Sequence, residues 1–375
     1  MLMGKASLSL LALLVCAWAG FSAAPRHALQ GPGKVQVRTR LEPPHPLGRP
    51  DTVSVMILGD VMMHSAQLQH DFSGFLKHLA HETNSADFTA ANLEFTLAGE
   101  PYSGYPAFSA PDSIAAVLAA ENGVDIFLTA NNHILDRGQA GLERTLRIYS
   151  GMRDSLGIEY TGCASDSLDN ASNNPLTLFC RGIRISLVNF TYGTNLGKGS
   201  GWPRVNYMRR KEVGDAISRA RAVGADFIIV LPHWGTEYEL RHDSTQQEWA
   251  EWLVAQGADA VIGSHPHVVQ DTTHIGGKPV IYSTGNVVSN MSARNTRLGM
   301  TVTLKFVSDP ASGDMRMLKP ELMFTWCCLP GMIGEGYSTI FVKEWTGRRD
   351  DWLTPSDFDN MTATLDRVRA ATGIR

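Results

Sequence analysis

The chain has 375 residues, 43% of them apolar and 19% charged, with a formal net charge of −4. That length allows one large domain or two ordinary ones, each with a real core. The slightly acidic balance supplies no broad basic field, which argues against nucleic acid as a partner.

The first 24 residues stand apart from the rest. Lys5 precedes an apolar run from Leu8 to Trp18, and the small residues Gly20, Ser22, Ala23 and Ala24 follow. This is the layout of a secretory signal, too short for a full membrane span. Cys16 after Leu13, Leu14 and Val15 leaves a lipid anchor open, and an uncleaved anchor is the third alternative. All three place the mature protein outside the cytoplasm, at the periplasm or cell surface. Residues 25–50 carry Pro25, Pro32, Pro43, Pro44, Pro46 and Pro50 and read as an extended linker.

From Asp51 short apolar runs alternate with amphipathic stretches. Strands are predicted at Thr52 to Leu58, Asp87 to Ala91, Asp125 to Thr129, Arg184 to Phe190, Asp226 to Leu231 and Asp259 to Ile262. Helices are predicted at Ser113 to Ala120, Gln139 to Leu156, Lys211 to Val223 and Gln246 to Gln256, the second from apolar spacing at Leu142, Leu146, Tyr149 and Met152. This alternation implies an α/β protein with part of its sheet parallel. After Gln270, Thr273 to Ser283 and Met300 to Phe306 read as hairpin strands, with turns at Gly276-Gly277 and Asp309-Pro310. Residues 51–345 form one domain in this reading, and 346–375 a capping segment with a helix from Leu353 to Thr372. Cys163 and Cys180 flank consecutive strand-like segments and either pair or remain buried thiols. Cys327 and Cys328 read as core.

The chemistry gathers at strand ends. Asp60, Glu94, Asn132 with His133, His233, and His265 with His267 each follow an apolar run within a few residues. Singly, each has a structural reading: Asp60 as a helix cap, Asn132 as a turn former, His233 as a core histidine. Together they mark the strand ends where α/β sheets collect ligands. Pro266 stiffens the bend between the last two histidines. Two carboxylates, an amide and three or more imidazoles suit two divalent cations sharing one carboxylate, and not a thiolate-rich structural zinc. Such a pair makes a hydroxide from bound water near neutral pH, and His133 is placed to donate a proton to a leaving group.

Gly59-Asp60, Asn92-Leu93-Glu94, Asn131-Asn132-His133 with Leu135-Asp136 and Gly138, His233-Trp234-Gly235 with Glu237-Tyr238, Gly263-Ser264-His265-Pro266-His267 and Tyr282-Ser283-Thr284-Gly285-Asn286 occur in that order. Over about residues 52–290 this resembles the CapA-type poly-gamma-glutamate or capsule synthesis proteins, relatives of the calcineurin-like metallophosphoesterases. The resemblance implies a four-layer α/β/β/α sandwich of two mixed sheets. It implies metal ligation by Asp60, Glu94 (bridging), Asn132, His233, His265 and His267, with His133 as proton donor, and two ions of manganese, zinc or iron. Two departures from the wider superfamily stand out. Met62 occupies the place of a histidine, with His64 the nearest substitute, and Glu94 replaces an aspartate. Asn92 belongs to the same signature as Glu94. Trp234 and Tyr238 form a substrate wall or core, Glu237 orients a histidine or acts as a base, Asp136 braces the Asn-His loop, and Asn286 borders the site and contacts substrate. The function implied is an exported dimetal hydrolase acting on a phosphoester or γ-glutamyl amide of an anionic cell-surface polymer or its precursor. The alternative is a non-catalytic polymer-binding subunit of a membrane synthase or export complex.

Overall fold

The computed structural model describes residues 37–39, 51–197, 199, 201–309 and 312–375. The expected signal at 1–24 lies outside the described residues, as does most of the 25–50 linker. Within that linker Val37–Thr39 is a strand, parallel to Leu176–Cys180 at one edge of a sheet. An exposed edge offers unpaired backbone groups, and a Val-Arg-Thr stretch has the β propensity to use them.

Two large mixed sheets make the frame. The first orders Val37–Thr39, Leu176–Cys180, Ile183–Thr191, Phe227–His233, Ala260–Ile262, Lys278–Ile281 and Thr272–Ile275. Its centre, from Ile183–Thr191 through Lys278–Ile281, is parallel. The second orders Ser338–Phe341, Glu321–Cys328, Leu298–Ser308, Asp51–Val61, Phe88–Leu93, Ile126–Leu128 and Glu159–Thr161, with Asn286–Val288 and Met315–Met317 alongside. Here the run from Asp51–Val61 to Glu159–Thr161 is parallel, and the remainder of the ordered path antiparallel.

Strand alternation sorts the side chains into layers. Val53, Val55 and Ile57 from one sheet meet Ile185, Leu187, Ile229 and Leu231 from the other in a central core. Met56, Leu58, Ala91 and Phe127 point the opposite way, against Ile114 and Leu118 of the helix Asp112–Ala120 and Leu142, Leu146 and Tyr149 of Gly138–Leu156. On the far side Val188, Ile228, Val230 and Val261 pack on Val213 and Ile217 of Arg210–Ala222 and on Trp249 and Leu253 of Ser244–Gln256. These three cores separate the four layers, α/β/β/α. Strands buried on both faces carry near-continuous apolar runs, as these do, and each buried Val, Leu or Ile contributes roughly 1.5–3 kcal/mol. Asp243 caps the Ser244–Gln256 helix by a reciprocal capping box with Gln246, so that helix starts at Ser244. The C-terminal helix Pro355–Thr372 sends Met361, Leu365 and Val368 into the central core.

Cys163 and Cys180 stay thiols because they occupy different cores: Cys163 the outer one over the second sheet, Cys180 the one between the sheets. The strands Glu159–Thr161, Glu321–Cys328 and Ser338–Phe341 had no clear signal in the apolar pattern.

The parallel strands of both sheets bring their carboxyl ends to one rim. Asp60 lies in register with Asn92 and with Asn286, while His233 is bridged to Ser264 across the other sheet. The rim needs close backbone approach. A Cβ on Gly59 would sit 2.0 Å from the carbonyl oxygen of Gly285, the same oxygen that accepts the Asp60 N–H at 2.9 Å. Gly59→Ala is therefore expected to lower stability by about 1–3 kcal/mol. Gly151→Ala, on an open helical face with nothing within 4 Å, should raise it by about 0.5–1 kcal/mol. Urea unfolding of both variants checks the pair, and equal midpoints would contradict the close-approach argument.

Candidate metal centre

Each candidate side chain stands at or just beyond a strand end. Asp60, fully buried, accepts from the Asn92 amide at 2.7 Å through Oδ1 and from the His265 backbone N–H at 3.2 Å through Oδ2. Glu94 follows the strand Phe88–Leu93 and is pinned by its N–H to the Val61 carbonyl at 3.0 Å. Its Oε2 accepts from Asn92 at 3.2 Å. Its Oε1 is buried with no hydrogen-bond partner, 3.6 Å from His233 Nε2 and 3.8 Å from His267 Nε2. Asn132 Oδ1 lies 2.8 Å from the same His233 Nε2.

The turn at His265-Pro266-His267 is bent hard. His265 has φ +101° and His267 φ +58°, the left-handed region that costs a residue with a side chain about 1–3 kcal/mol. This brings the two imidazoles to 5.9 Å and sets His265 4.8 Å from His233, centroid to centroid. His265 Nδ1 is also buried and without a partner.

Among the described residues, ligand-capable atoms consequently fall into three overlapping groups, each spanning no more than 4.8 Å: Glu94 with His233 and His265, Asp60 with Glu94 and His267, and Glu237 with His265 and His267. Glu94 is common to the first two. Burial, then the nearby Asp60, Glu237 and Asp136, holds the Glu94 carboxyl well above the usual carboxylate range. Burial and the neighbouring imidazoles hold His233 and His265 well below the ordinary histidine value. Neutral imidazoles offer lone pairs, and a buried carboxylate surrounded by acids needs positive charge beside it. An orphaned carboxylate oxygen, an orphaned ring nitrogen and a set of N and O donors together fit a borderline divalent cation.

Around the ligands runs a layer that orients them. Asn286, fully buried, stands with Oδ1 3.1 Å from His267 Nδ1 and donates to the Thr296 carbonyl at 2.9 Å. It braces a ligand and, being enclosed, has no face toward substrate, contrary to the sequence expectation. The Ser264 hydroxyl is 2.9 Å from His233 Nδ1. Asn131 donates to Asn92 Oδ1 at 3.1 Å and to the Leu93 carbonyl at 2.8 Å, and accepts the His133 N–H at 3.2 Å. Ser264 and Asn131 were visible as members of motifs, but only the structure shows whom they hold.

His133 is set apart from the ligand groups. Its Nδ1 lies 2.7 Å from Asp136 Oδ2, which also accepts the Phe108 N–H at 2.8 Å. Phe108 meets the imidazole edge-on at 4.7 Å. Asn195, from a loop with no sequence signal, places its amide 3.2 Å from the same Nδ1. His64 stays at the rim beside Gln67 at 3.0 Å and joins none of the ligand groups. Met62 is buried in the outer core. Trp234 is core, donating to the Tyr282 carbonyl at 3.0 Å, whereas Tyr238 is exposed at the cleft mouth. The cleft beside the centre encloses about 400 Å³ and reaches His133, Asn132, Glu237, Tyr238 and His267.

The family described as bacterial capsule synthesis protein PGA_cap matches residues 54–291, more than half of the chain. The chain belongs to that family. It is similar to a capsule biosynthesis protein CapA of Bacillus anthracis, 24% identical over 262 residues, and to a PGA biosynthesis protein CapA of Bacillus subtilis, 25% identical over 262 residues. Each alignment covers 66% of this chain, but only 62% and 66% of those two relatives. A probable polyglutamine synthesis accessory protein of Mycobacterium tuberculosis is 26% identical over 330 residues, 72% of this chain and 84% of that protein. Among solved structures, a phosphatase of Mycoplasma pneumoniae aligns with TM-score 0.46 and 15% identity, over 74% of this chain and 94% of that one. An NAD nucleotidase of Haemophilus influenzae aligns with TM-score 0.45 and 12% identity, over 86% and 68%.

Partners of metal-binding histidines commonly set affinity by 10–100-fold. Ser264→Ala removes the hydroxyl behind His233 with little change of volume, so metal affinity in a chelator competition should drop by roughly that factor at unchanged thermal stability. An unaltered affinity would place His233 outside the ligand set.

Proposed function

We propose that the protein is an exported metal-dependent hydrolase of capsule or poly-gamma-glutamate metabolism, acting on an anionic cell-surface polymer or its precursor. The observation that carries this reading is Glu94 Oε1, buried, unpaired and facing His233 and His267. Asp60, Glu94, Asn132, His233, His265 and His267 would hold two divalent ions, of manganese, zinc or iron. When bound, such ions supply an acidified water and neutralise charge that develops on a phosphoryl or acyl oxygen.

The protein's own residues do the rest. Asp136 fixes the His133 ring through Nδ1, which leaves Nε2 to carry a proton to the leaving oxygen or nitrogen. Phe108 holds the ring from its edge and shields it from bulk water on that side. Asn92 ties Asp60 to Glu94, so the two carboxylates keep their spacing when neither is compensated. The signal-like segment at 1–24 supports export, the family's description supports a place in capsule synthesis, and work beside a membrane synthase or export complex belongs to the same proposal.

Metal quantitation on the full chain tests the reading together with a screen of phosphoesters, phosphodiesters, nucleotides and γ-glutamyl amides. Two metal equivalents and hydrolysis in one of these classes are expected. His265→Ala should lose metal and activity together. His133→Ala should keep its metal while turnover drops by about 10²–10⁴-fold. Less than one equivalent of metal in the native chain, or undiminished hydrolysis by His265→Ala, would sink the proposal.

A further inference from the structure

The cleft mouth is aromatic. Tyr105 is 76% exposed, Tyr192 45% and Tyr238 43%, with Leu196 at 63% beside them. Large apolar side chains scattered singly on a surface need no explanation, but four around one opening do. Tyr105, Tyr238 and Leu196 line the cleft. Tyr192 stands 4.6 Å from the His265 ring on the flank.

Tyr238 is held there at a cost. Its φ is +68°, a conformation that penalises a bulky side chain. Its N–H is tied to the Pro266 carbonyl at 2.9 Å, between the two histidines of the turn. The ring therefore moves with the ligand turn and lies 6.4 Å from His267. Tyr105 stands 6.5 Å from Phe108, whose ring in turn meets His133. Among the described residues lining the cleft there is no lysine or arginine, and Glu237 adds a negative charge.

We infer that the cleft takes a carbohydrate chain, with uncharged pyranose rings laid on Tyr105 and Tyr238 and the scissile group over the metal-ligand cluster. The inference rests on the hydrolase reading above and narrows its substrate to a polymer whose sugar units beside the site are uncharged, the anionic group being the scissile one. One face of a pyranose presents C–H groups that match the electron-rich face of an aromatic ring. The amides of Asn132 and Asn195 supply the few polar contacts that orient the hydroxyls. An extended polyanion such as polyglutamate would place a carboxylate on every unit flanking the site, where the described lining residues offer Glu237 and Asp136 and no lysine or arginine. A nucleobase is usually gripped in an enclosed slot, whereas a ring as open as Tyr105 suits a chain passing across.

Calorimetric titration separates these ligands. The full chain, metal-loaded and metal-stripped, is titrated with maltotetraose, tetra-N-acetylchitotetraose, a γ-linked glutamate tetramer and AMP. At least one of the two oligosaccharides should bind in both metal states, because the stacking surface needs no ion. Tyr238→Ala and Tyr105→Ala should each weaken it about fivefold to tenfold, and Tyr238→Phe should retain it. Tyr105 is exposed enough that its truncation leaves the core intact. The inference is overturned if neither oligosaccharide binds, if binding ignores the tyrosines, or if the glutamate tetramer or AMP shows that tyrosine dependence instead. Because stacking is read without metal or turnover, its failure leaves the metal content and hydrolysis results standing on their own.

Discussion

The Glu94 carboxylate is the constraint around which the rim is arranged. A buried carboxylate with one oxygen satisfied by Asn92 and the other by nothing is costly, by several kcal/mol if it must ionise uncompensated. The fold does not relieve that cost internally. Asp60, Glu237 and Asp136 all push the carboxyl toward its neutral form, and burial adds to them. The groups facing Oε1 are the imidazoles of His233 and His267, and burial holds His233 well below the ordinary histidine value. A core assembled for stability alone would place an apolar residue here or a paired one. Left alone this carboxyl stays protonated, and it can ionise only with positive charge from outside the chain, which favours the metal reading over that of a satisfied polar core.

The two-sheet frame explains how such a cluster is assembled at all. Asp60 and Glu94 come from adjacent parallel strands of one sheet, His233 from the centre of the other. The sheets are held apart by the central core, so a group that joins them has to reach. Glu94 carries one more methylene than an aspartate would, and its Oε1 stands about equally far from His233 Nε2 and His267 Nε2. The longer side chain is the physical means by which this family member spans the gap, and Asn92 steadies it by donating to both carboxylates.

Much of this was legible in the sequence, for definable reasons. The strands at Asp51–Val61, Phe88–Leu93 and Phe227–His233 announce themselves because burial on both faces demands unbroken apolar runs. Their polar terminators then stand out against them. Glu159–Thr161 is only three residues long, and edge strands such as Val37–Thr39 form where a neighbour offers free backbone groups, so composition barely marks them. At the site, ligand types could be read from motifs, but orientation could not. Asn286 and Trp234 sit in motifs equally with Tyr238, yet the first two are enclosed and only Tyr238 opens to solvent. That distinction depends on a backbone turn through positive φ, which no local pattern encodes. Asn195 belongs to a loop whose place beside His133 is set wholly by tertiary packing.

Strain and function coincide along one short path. His265, His267 and Tyr238 all adopt positive φ, and the Tyr238 N–H to Pro266 carbonyl bond joins the two strained segments. Each such residue costs about 1–3 kcal/mol, a large sum against the marginal stability of a domain. Relaxing His265 would turn its imidazole away from His233, and relaxing Tyr238 would withdraw its ring from the cleft. The surrounding structure resists both, through the Asp60 carboxylate on the His265 N–H and the bridge between His233 and Ser264. A carboxylate of the candidate ligand group thus also holds the His265-Pro266-His267 turn in its strained form. Asp60, Glu94 and His267 form one of the groups that would hold a cation, so a bound charge would sit against the residues that keep the turn bent. In this scheme ligand turn and cleft wall are set by one mechanical unit, so the position of the stacked ring and the geometry of the metal centre cannot vary independently.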